Sequence, residues 1–349
     1  MSKGEDYFRN KLIFKMKISK ALLFLSILAA WFISCKSTSS STVLGNWVTK
    51  SVLDGVARSE AVSFVVNDTP YVGTGYDGNV RLSDMWAYNA AGDFWTQKAD
   101  LPGTPRSSAV AFGVGNYGYI GTGFDGVNKL NDMWQYNPVA NTYIQKNNFA
   151  GTARYDAVAF GILTKGYLAT GFDGNYLKDF WRYDPATDSW TQINGYGGEK
   201  RLGAVAFVYN NKGYIVTGIN NGVEENDFWS FDPSNNSFTA LRNISNVSTQ
   251  TYDDQYTNIV RDNAAAFIVG DKAYLSTGES NGSLMTATWE YDFATDLWTS
   301  KTAFEGAARQ GAVGFSVTKG GYVTTGRSST FAFDDVRQFF PLEAYNAND

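Results

Sequence analysis

Arg154-Tyr155-Asp156-Ala157-Val158-Ala159-Phe160, then Tyr167-Leu168-Ala169-Thr170-Gly171, then Phe180-Trp181-Arg182-Tyr183, closed by Trp190-Thr191-Gln192, is the stretch on which the fold turns. Short runs of strand-forming residues are separated by Lys165-Gly166, by Gly171-Phe172-Asp173-Gly174 and by Asp184-Pro185. Turn residues at these places predict hairpins. The pattern is not confined to this stretch. Arg58, Arg106, Arg154, Arg201, Arg261 and Arg309 recur at spacings of 48, 48, 47, 60 and 48 residues. Each is followed by a small-apolar run and a Thr-Gly pair: Thr74-Gly75, Thr122-Gly123, Thr170-Gly171, Thr217-Gly218, Thr277-Gly278 and Thr325-Gly326. A period near 48 held six times is a repeat architecture. Four short antiparallel strands per repeat make a sheet of the size of a propeller blade. The expectation is all-β.

Closure follows from the numbering. The interval from fourth-strand aromatic to the next Arg is 11 residues for Trp95, Tyr143, Trp190 and Trp298, and also for Trp47 before Arg58. Trp47-Val48-Thr49-Lys50 therefore reads as a fourth strand without a blade of its own. The last repeat supplies three strands and stops near Pro341. Pairing the two ends closes a six-bladed ring and shields strand edges. The first strand of each repeat alternates small and large residues, as in Ala61-Val62-Ser63-Phe64 and Ala157-Val158-Ala159-Phe160. With period two, one face is small and the other large. The Val/Phe face of one blade is expected to fill space beside the small face of its neighbour.

These residues resemble the kelch repeat, in which a Gly ends the second strand and Tyr and Trp follow with six residues between. Tyr88/Trp95, Tyr183/Trp190 and Tyr291/Trp298 keep that spacing, and Tyr136/Tyr143 and Phe231/Phe238 keep it with other aromatics. The kelch Gly-Gly is Thr-Gly throughout, and Arg337 stands where other repeats have Trp86, Trp134, Trp181, Trp229 and Trp289. The resemblance spans residues 45–341 and implies a kelch-type propeller, with 342–349 as a tail. It also implies that arginines before the inner strands can grip carboxylates of a ligand. That carry-over falls on Arg58, Arg106, Arg154, Arg201, Arg261 and Arg309, which would line one mouth of the channel. The competing reading has them bonded to loop carbonyls or to loop acids such as Asp77, Asp125 or Asp173, holding blades together.

Composition excludes several chemistries. There is no histidine, so Ser-His-Asp and Cys-His schemes and the copper site of galactose oxidase, another kelch propeller, cannot be built. Cys35 is the sole cysteine, so no intrachain disulfide forms. No cofactor or metal is expected. Oxygen-rich loops such as Asp77/Asn79/Asp84 and Asp173/Asn175/Asp179 lack the ligand alternation of an EF-hand, and Asx turns explain them.

Lys15, Lys17 and Lys20 precede an apolar run from Ala21 to Ile33, shorter than the roughly 20 residues a bilayer demands. Cys35 right after it resembles the lipobox of bacterial lipoproteins, with Phe32 in place of the usual Leu. Residues 1–35 therefore read as a lipoprotein signal peptide whose start can be Met16, and 36–44 as a polar tether. The implied address is a Gram-negative envelope, lipid-anchored in the outer membrane on its periplasmic or surface face. After removal of 1–35 the chain keeps 23 basic and 32 acidic residues, a net charge of −9. That balance disfavours nucleic acid. A monomer binding an envelope protein or glycan is expected, touching membrane only through its lipid.

One repeat breaks symmetry. Phe238 to Arg261 is 23 residues, 12 more than its counterparts, and the excess includes Tyr252, Asp253, Asp254 and Tyr256. These four are candidate residues of a recognition loop. The alternative function is a sugar-modifying enzyme, since kelch propellers also include a sialic acid epimerase. Asp253, Asp254 or Tyr256 with Arg261 would then supply acid and base.

Overall fold

The computed structural model describes Val43–Asp349. The signal peptide, Cys35 and nearly all of the tether lie outside the described residues. Six four-stranded antiparallel sheets follow one another in chain order. In the third, Val158–Ile162, Lys165–Ala169, Phe180–Asp184 and Ser189–Ile193 lie side by side, innermost first. Blades 1, 2, 4 and 5 begin with the inner strands Val62–Val66, Val110–Val114, Val205–Tyr209 and Ala265–Val269. Blades 4 and 5 carry an extra two-residue ribbon each, Ile219–Asn220 with Val223–Glu224 and Glu279–Ser280 with Ser283–Leu284.

Blade 6 is built from both ends of the propeller. Gln310–Val317, Gly320–Arg327 and Val336–Ala344 come from the last repeat, and Leu44–Lys50 is the fourth, outermost strand. Trp47 pairs with Phe339 and is fully buried against Phe267, Phe304 and Phe339. The closing strand predicted at Trp47–Lys50 is therefore present. The last strand differs from expectation: it runs beyond Pro341 to Ala344. Proline lacks only a donor, and the register slips between Leu44 and Asn46, so the pairing resumes past it.

Packing between blades follows the large-on-small rule. Val62 and Phe64 pack on Ala109 and Ala111 of the next blade, and Val158 and Phe160 on Ala204 and Ala206. The fit extends to second strands. A Cβ on Gly213 would come within 2.4 Å of the Phe160 ring, and one on Gly118 within 2.1 Å of Phe64. The same small residues line the channel. Phe160 is 5% exposed, so Phe160→Ala is expected to cost about 3–5 kcal/mol in chemical denaturation. A loss below about 1 kcal/mol would refute this packing.

Candidate functional site: the mouth of the channel

The six repeated arginines do not line the mouth. Their side chains are between 0 and 1% exposed, and their donors are spent inside the blades. In blade 1, Arg58 Nε donates to the Val56 carbonyl at 2.8 Å and Nη1 to the Thr74 carbonyl at 3.0 Å. Its Nη1 and Nη2 form a fork onto Asp84 at 2.5 and 2.7 Å. Asp84 also accepts the Trp86 indole N–H at 2.7 Å. Arg106–Asp132–Trp134 and Arg154–Asp179–Trp181 repeat this arrangement. Arg201 pairs with Asp227, and Arg309 with Asp335. The acids engaged are thus those two residues before the third-strand Trp. Burial alone would raise the Asp84 and Asp132 carboxyls; the arginine hydrogen bonds and charge, with the indole, hold them below the usual range.

The Arg backbone performs a second task. Gly75 N–H donates to the Arg106 carbonyl at 2.7 Å, and every Thr-Gly glycine does the same to the following blade's arginine, ending with Gly326 to Arg58 at 2.8 Å. Each Thr must turn its carbonyl toward its own Arg. All six therefore sit at positive φ, from 55° at Thr74 to 65° at Thr217, which is costly for a β-branched residue. Gly171, at φ 94°, takes the next unusual conformation without a Cβ. The Thr-Gly pair is the hinge of an inter-blade clasp.

Blade 5 departs from the others, and its enlarged loop shows why. Ala287 occupies the position of the paired Asp. Arg261 is fully buried and bonds carbonyls alone: Ile259 at 3.0 Å, Thr277 at 2.7 Å, Ala287 at 2.9 Å, and Asn258. Asn258 comes from the insertion, and its Oδ1 takes the Trp289 indole at 2.8 Å, the role Asp84 fills for Trp86. Burial without a carboxylate lowers the Arg261 pKa to about 10.

The rest of the insertion packs on the outer strand of blade 5. Tyr256 is buried and its hydroxyl accepts the Trp298 backbone N–H at 2.7 Å. The Asp253 carboxylate is buried and accepts Ser248 N–H and Oγ–H, both at 2.9 Å, and Val247 N–H at 3.2 Å. Tyr252 lies beneath the Arg242 guanidinium at 4.5 Å, and Asp254 alone is exposed. The recognition-loop assignment is corrected for Asp253 and Tyr256, whose polar atoms are spent inside the segment and on blade 5, while Asn258 of the same segment replaces the missing carboxylate. In blade 6 the Trp position holds Arg337, whose Nε is 3.8 Å from Asp335. The Asp77 and Asp173 carboxylates cap their own turns, accepting Asn79 N–H at 2.7 Å and Asn175 N–H at 2.9 Å.

What the mouth does present was missed by sequence reasoning. Glu60, Ser108, Asp156, Gly203, Asn263 and Gly311, each two residues after a repeated Arg, form a closed ring. Each N–H donates to the carbonyl of the preceding member at 2.8–3.0 Å, and all six have φ between 49° and 64°. They line a cavity of about 110 Å³ at the channel entrance. Outside this ring lie two further positions per blade, the residue after the Arg and the residue after Thr-Gly. Five of these pairs are bridged: Ser59/Tyr76, Ser107/Phe124, Tyr155/Phe172, Leu202/Ile219 and Asp262/Glu279. Blade 6 places Gln310 and Arg327 there.

Carboxylates are the more numerous charged groups at the entrance. Burial, reinforced by the Glu60 charge, pushes Asp156 up to about 7; burial together with Glu279 and Glu224 pushes Asp262 up to about 6. Ser108 Oγ–H donates to Glu60 at 3.0 Å, and Gln310 Nε2 to Glu279 at 2.6 Å. The nearest cation to Glu60 is Arg327, at 3.8 Å. The signal available in the sequence was variation: these columns change chemistry from repeat to repeat while the Arg column does not.

Residues 167–195, the second to outermost strands of blade 3, match the family model for the Kelch motif. The solved structure of YjhT is similar to this chain, with a TM-score of 0.68 at 17% identity, covering 82% of this chain and 96% of that one. No curated protein matches the sequence. The chain is an all-β, six-bladed propeller that carries a kelch motif.

Proposed function

We propose that this protein is a non-catalytic recognition module, tethered to a Gram-negative envelope by lipid on Cys35, that binds an envelope protein or glycan at the channel mouth. One observation carries the reading. At positions equivalent by the repeat, the interior keeps its arginine in all six blades while the mouth has two Ser/aromatic pairs, one aromatic pair, an aliphatic pair, an acidic pair and a Gln/Arg pair. Structural need alone would repeat these as it repeats the arginines. A closed hydrogen-bonded ring beneath them gives a rigid base, which lowers the ordering cost of binding.

Capture from native envelope tests the reading, comparing the intact protein with a Glu60→Gln/Asp156→Asn double variant. Loss of a specific partner in the variant is expected; an identical set of partners rejects the mouth as the site. Metabolic labelling with palmitate tests the anchor, and Cys35→Ser is expected to abolish incorporation.

A second reading, a sugar epimerase or mutarotase, is favoured by Asp156. A carboxyl of pKa about 7 at a channel entrance is suited to general acid/base work at neutral pH. Mutarotation assays on sialic acid and common hexoses distinguish the two. Turnover abolished by Asp156→Asn would displace the non-catalytic reading.

A further inference from the structure

Across blades 1–3 the mouth face carries six side chains in continuous contact. The Arg81 guanidinium lies between the rings of Tyr76, at 4.6 Å, and Phe124, at 5.1 Å. Phe124 meets Tyr155 at 5.4 Å, Tyr155 meets Phe172 at 5.6 Å, and Phe172 meets Tyr176 at 5.2 Å. All six are half-buried, so each keeps part of its surface in solvent. The Arg81 Nε is buried without a hydrogen-bond partner. Blades 4 and 5 have no such arc, since Leu202, Ile219, Asp262 and Glu279 occupy the corresponding places.

We infer that this arc is a carbohydrate platform for an uncharged glycan, whose C–H faces lie on Phe124, Tyr155 and Phe172 while its hydroxyls reach Arg81, Asp156 and Glu60. The inference rests on the mouth being a binding surface and specifies what it binds. Aromatic faces carry partial negative charge and attract the positive edges of C–H groups. A polyol needs donors and acceptors within one ring's reach. Guanidinium supplies only donors and carboxylates only acceptors, and here they flank the same stacking surface. Charge sets the selectivity. Glu60, Asp156, Asp262 and Glu279 outnumber the cations Arg81 and Arg327 around the entrance, so uronic acids and other anionic ligands meet a net like charge. The arc is a strip of half-buried rings beside a cavity of about 110 Å³.

The full-length protein is titrated calorimetrically with linear β-linked hexamers of glucose and of N-acetylglucosamine. A galacturonic acid hexamer serves as acidic probe and an Arg/Lys-rich decapeptide as protein-like probe. At least one neutral hexamer is expected to bind, with the acidic hexamer about tenfold weaker or more. Phe124→Ala and Tyr155→Ala are each expected to weaken the neutral hexamer about tenfold, while Tyr155→Phe retains it. Melting curves separate lost stacking from lost folding. Neutral-hexamer binding that is indifferent to both alanine variants overturns the inference. So does failure of both neutral hexamers. If the peptide then binds and Glu60→Gln removes it, the mouth stands as a binding surface for protein and only the carbohydrate assignment falls.

Discussion

Two concentric regions of this propeller obey opposite rules. Beneath the mouth, a buried arginine recurs in every blade and its pair with Asp in all but blade 5, at 2.5–2.6 Å in blades 1, 2, 3 and 6. The residues next in sequence to those same arginines vary instead: Ser59 and Ser107 are buried serines, while Tyr155, Leu202, Asp262 and Gln310 are half-buried at the mouth and share no chemistry. The difference teaches where to look for function in a repeat protein. Repetition marks what every blade needs to hold its neighbour, and the columns that vary are free to meet something else.

The strongest test of the copied region is to remove one arginine from its carboxylate. Arg154→Gln leaves Asp179 partly buried without a counter-charge and frees the Thr170 carbonyl. Breaking a buried pair from one side typically costs 3–5 kcal/mol, and a loss of about that size is expected in urea denaturation. A change below about 1 kcal/mol would mean the guanidinium is dispensable. Blade 5 sharpens the contrast. Arg261→Gln strands carbonyls but no carboxylate, so the expected loss is smaller, about 1–3 kcal/mol. An Arg261→Gln variant less stable than Arg154→Gln would show that the insertion is more than a substitute for Asp.

These two arginines also mark how far the sequence could be read. The ring closure was legible because Trp47 keeps the 11-residue interval, and backbone pairing then follows from period alone. The repeated Arg was legible as a position but not as a role, since nothing in its spacing distinguishes a side chain turned to solvent from one forked onto Asp84. That distinction depends on the Thr carbonyl at positive φ and on an Asp 26 residues away, and neither is expressed in hydrophobic periodicity. The insertion misled for a related reason. Its Tyr and Asp residues have the composition of a recognition loop, yet Asp253 and Tyr256 hold the segment in place while Asn258 stands in for the carboxylate missing at Ala287, some 30 residues further on. Glu60 and Asp156 were visible only by comparing repeats for disagreement instead of agreement.

The mouth, by contrast, should carry charge strain in place of fold stability. Asp156 has a pKa of about 7 in the fold against 3.8 for the ordinary side chain. Between those values the folded state binds more protons than the unfolded chain, so this group's contribution to stability is full below about pH 4 and is lost as pH rises through 7. Asp156→Asn should therefore stabilise the protein at pH 8 relative to wild type and change little at pH 4. The expected gain is on the order of 1–2 kcal/mol after allowance for solvent screening. Denaturation midpoints at the two pH values check it. A variant that is destabilised equally at both would show that the carboxylate is held by favourable contacts and not strained by its neighbours.

Glu60→Gln gives the smallest expected effect on the fold, and for that reason tests the comparison most directly. The ring beneath the mouth is made by the Glu60 backbone, which the substitution leaves alone, and the amide oxygen can still accept from Ser108. Stability should stay within about 0.5 kcal/mol of wild type, with a slight gain at neutral pH because Asp156 loses an acidic neighbour. Binding is where Glu60→Gln should register, as a changed set of envelope partners. The two regions are separable only if that combination appears. A Glu60→Gln protein that unfolds as readily as Arg154→Gln would mean that the mouth is as structural as the layer below it, and that its variety reflects tolerance instead of recognition.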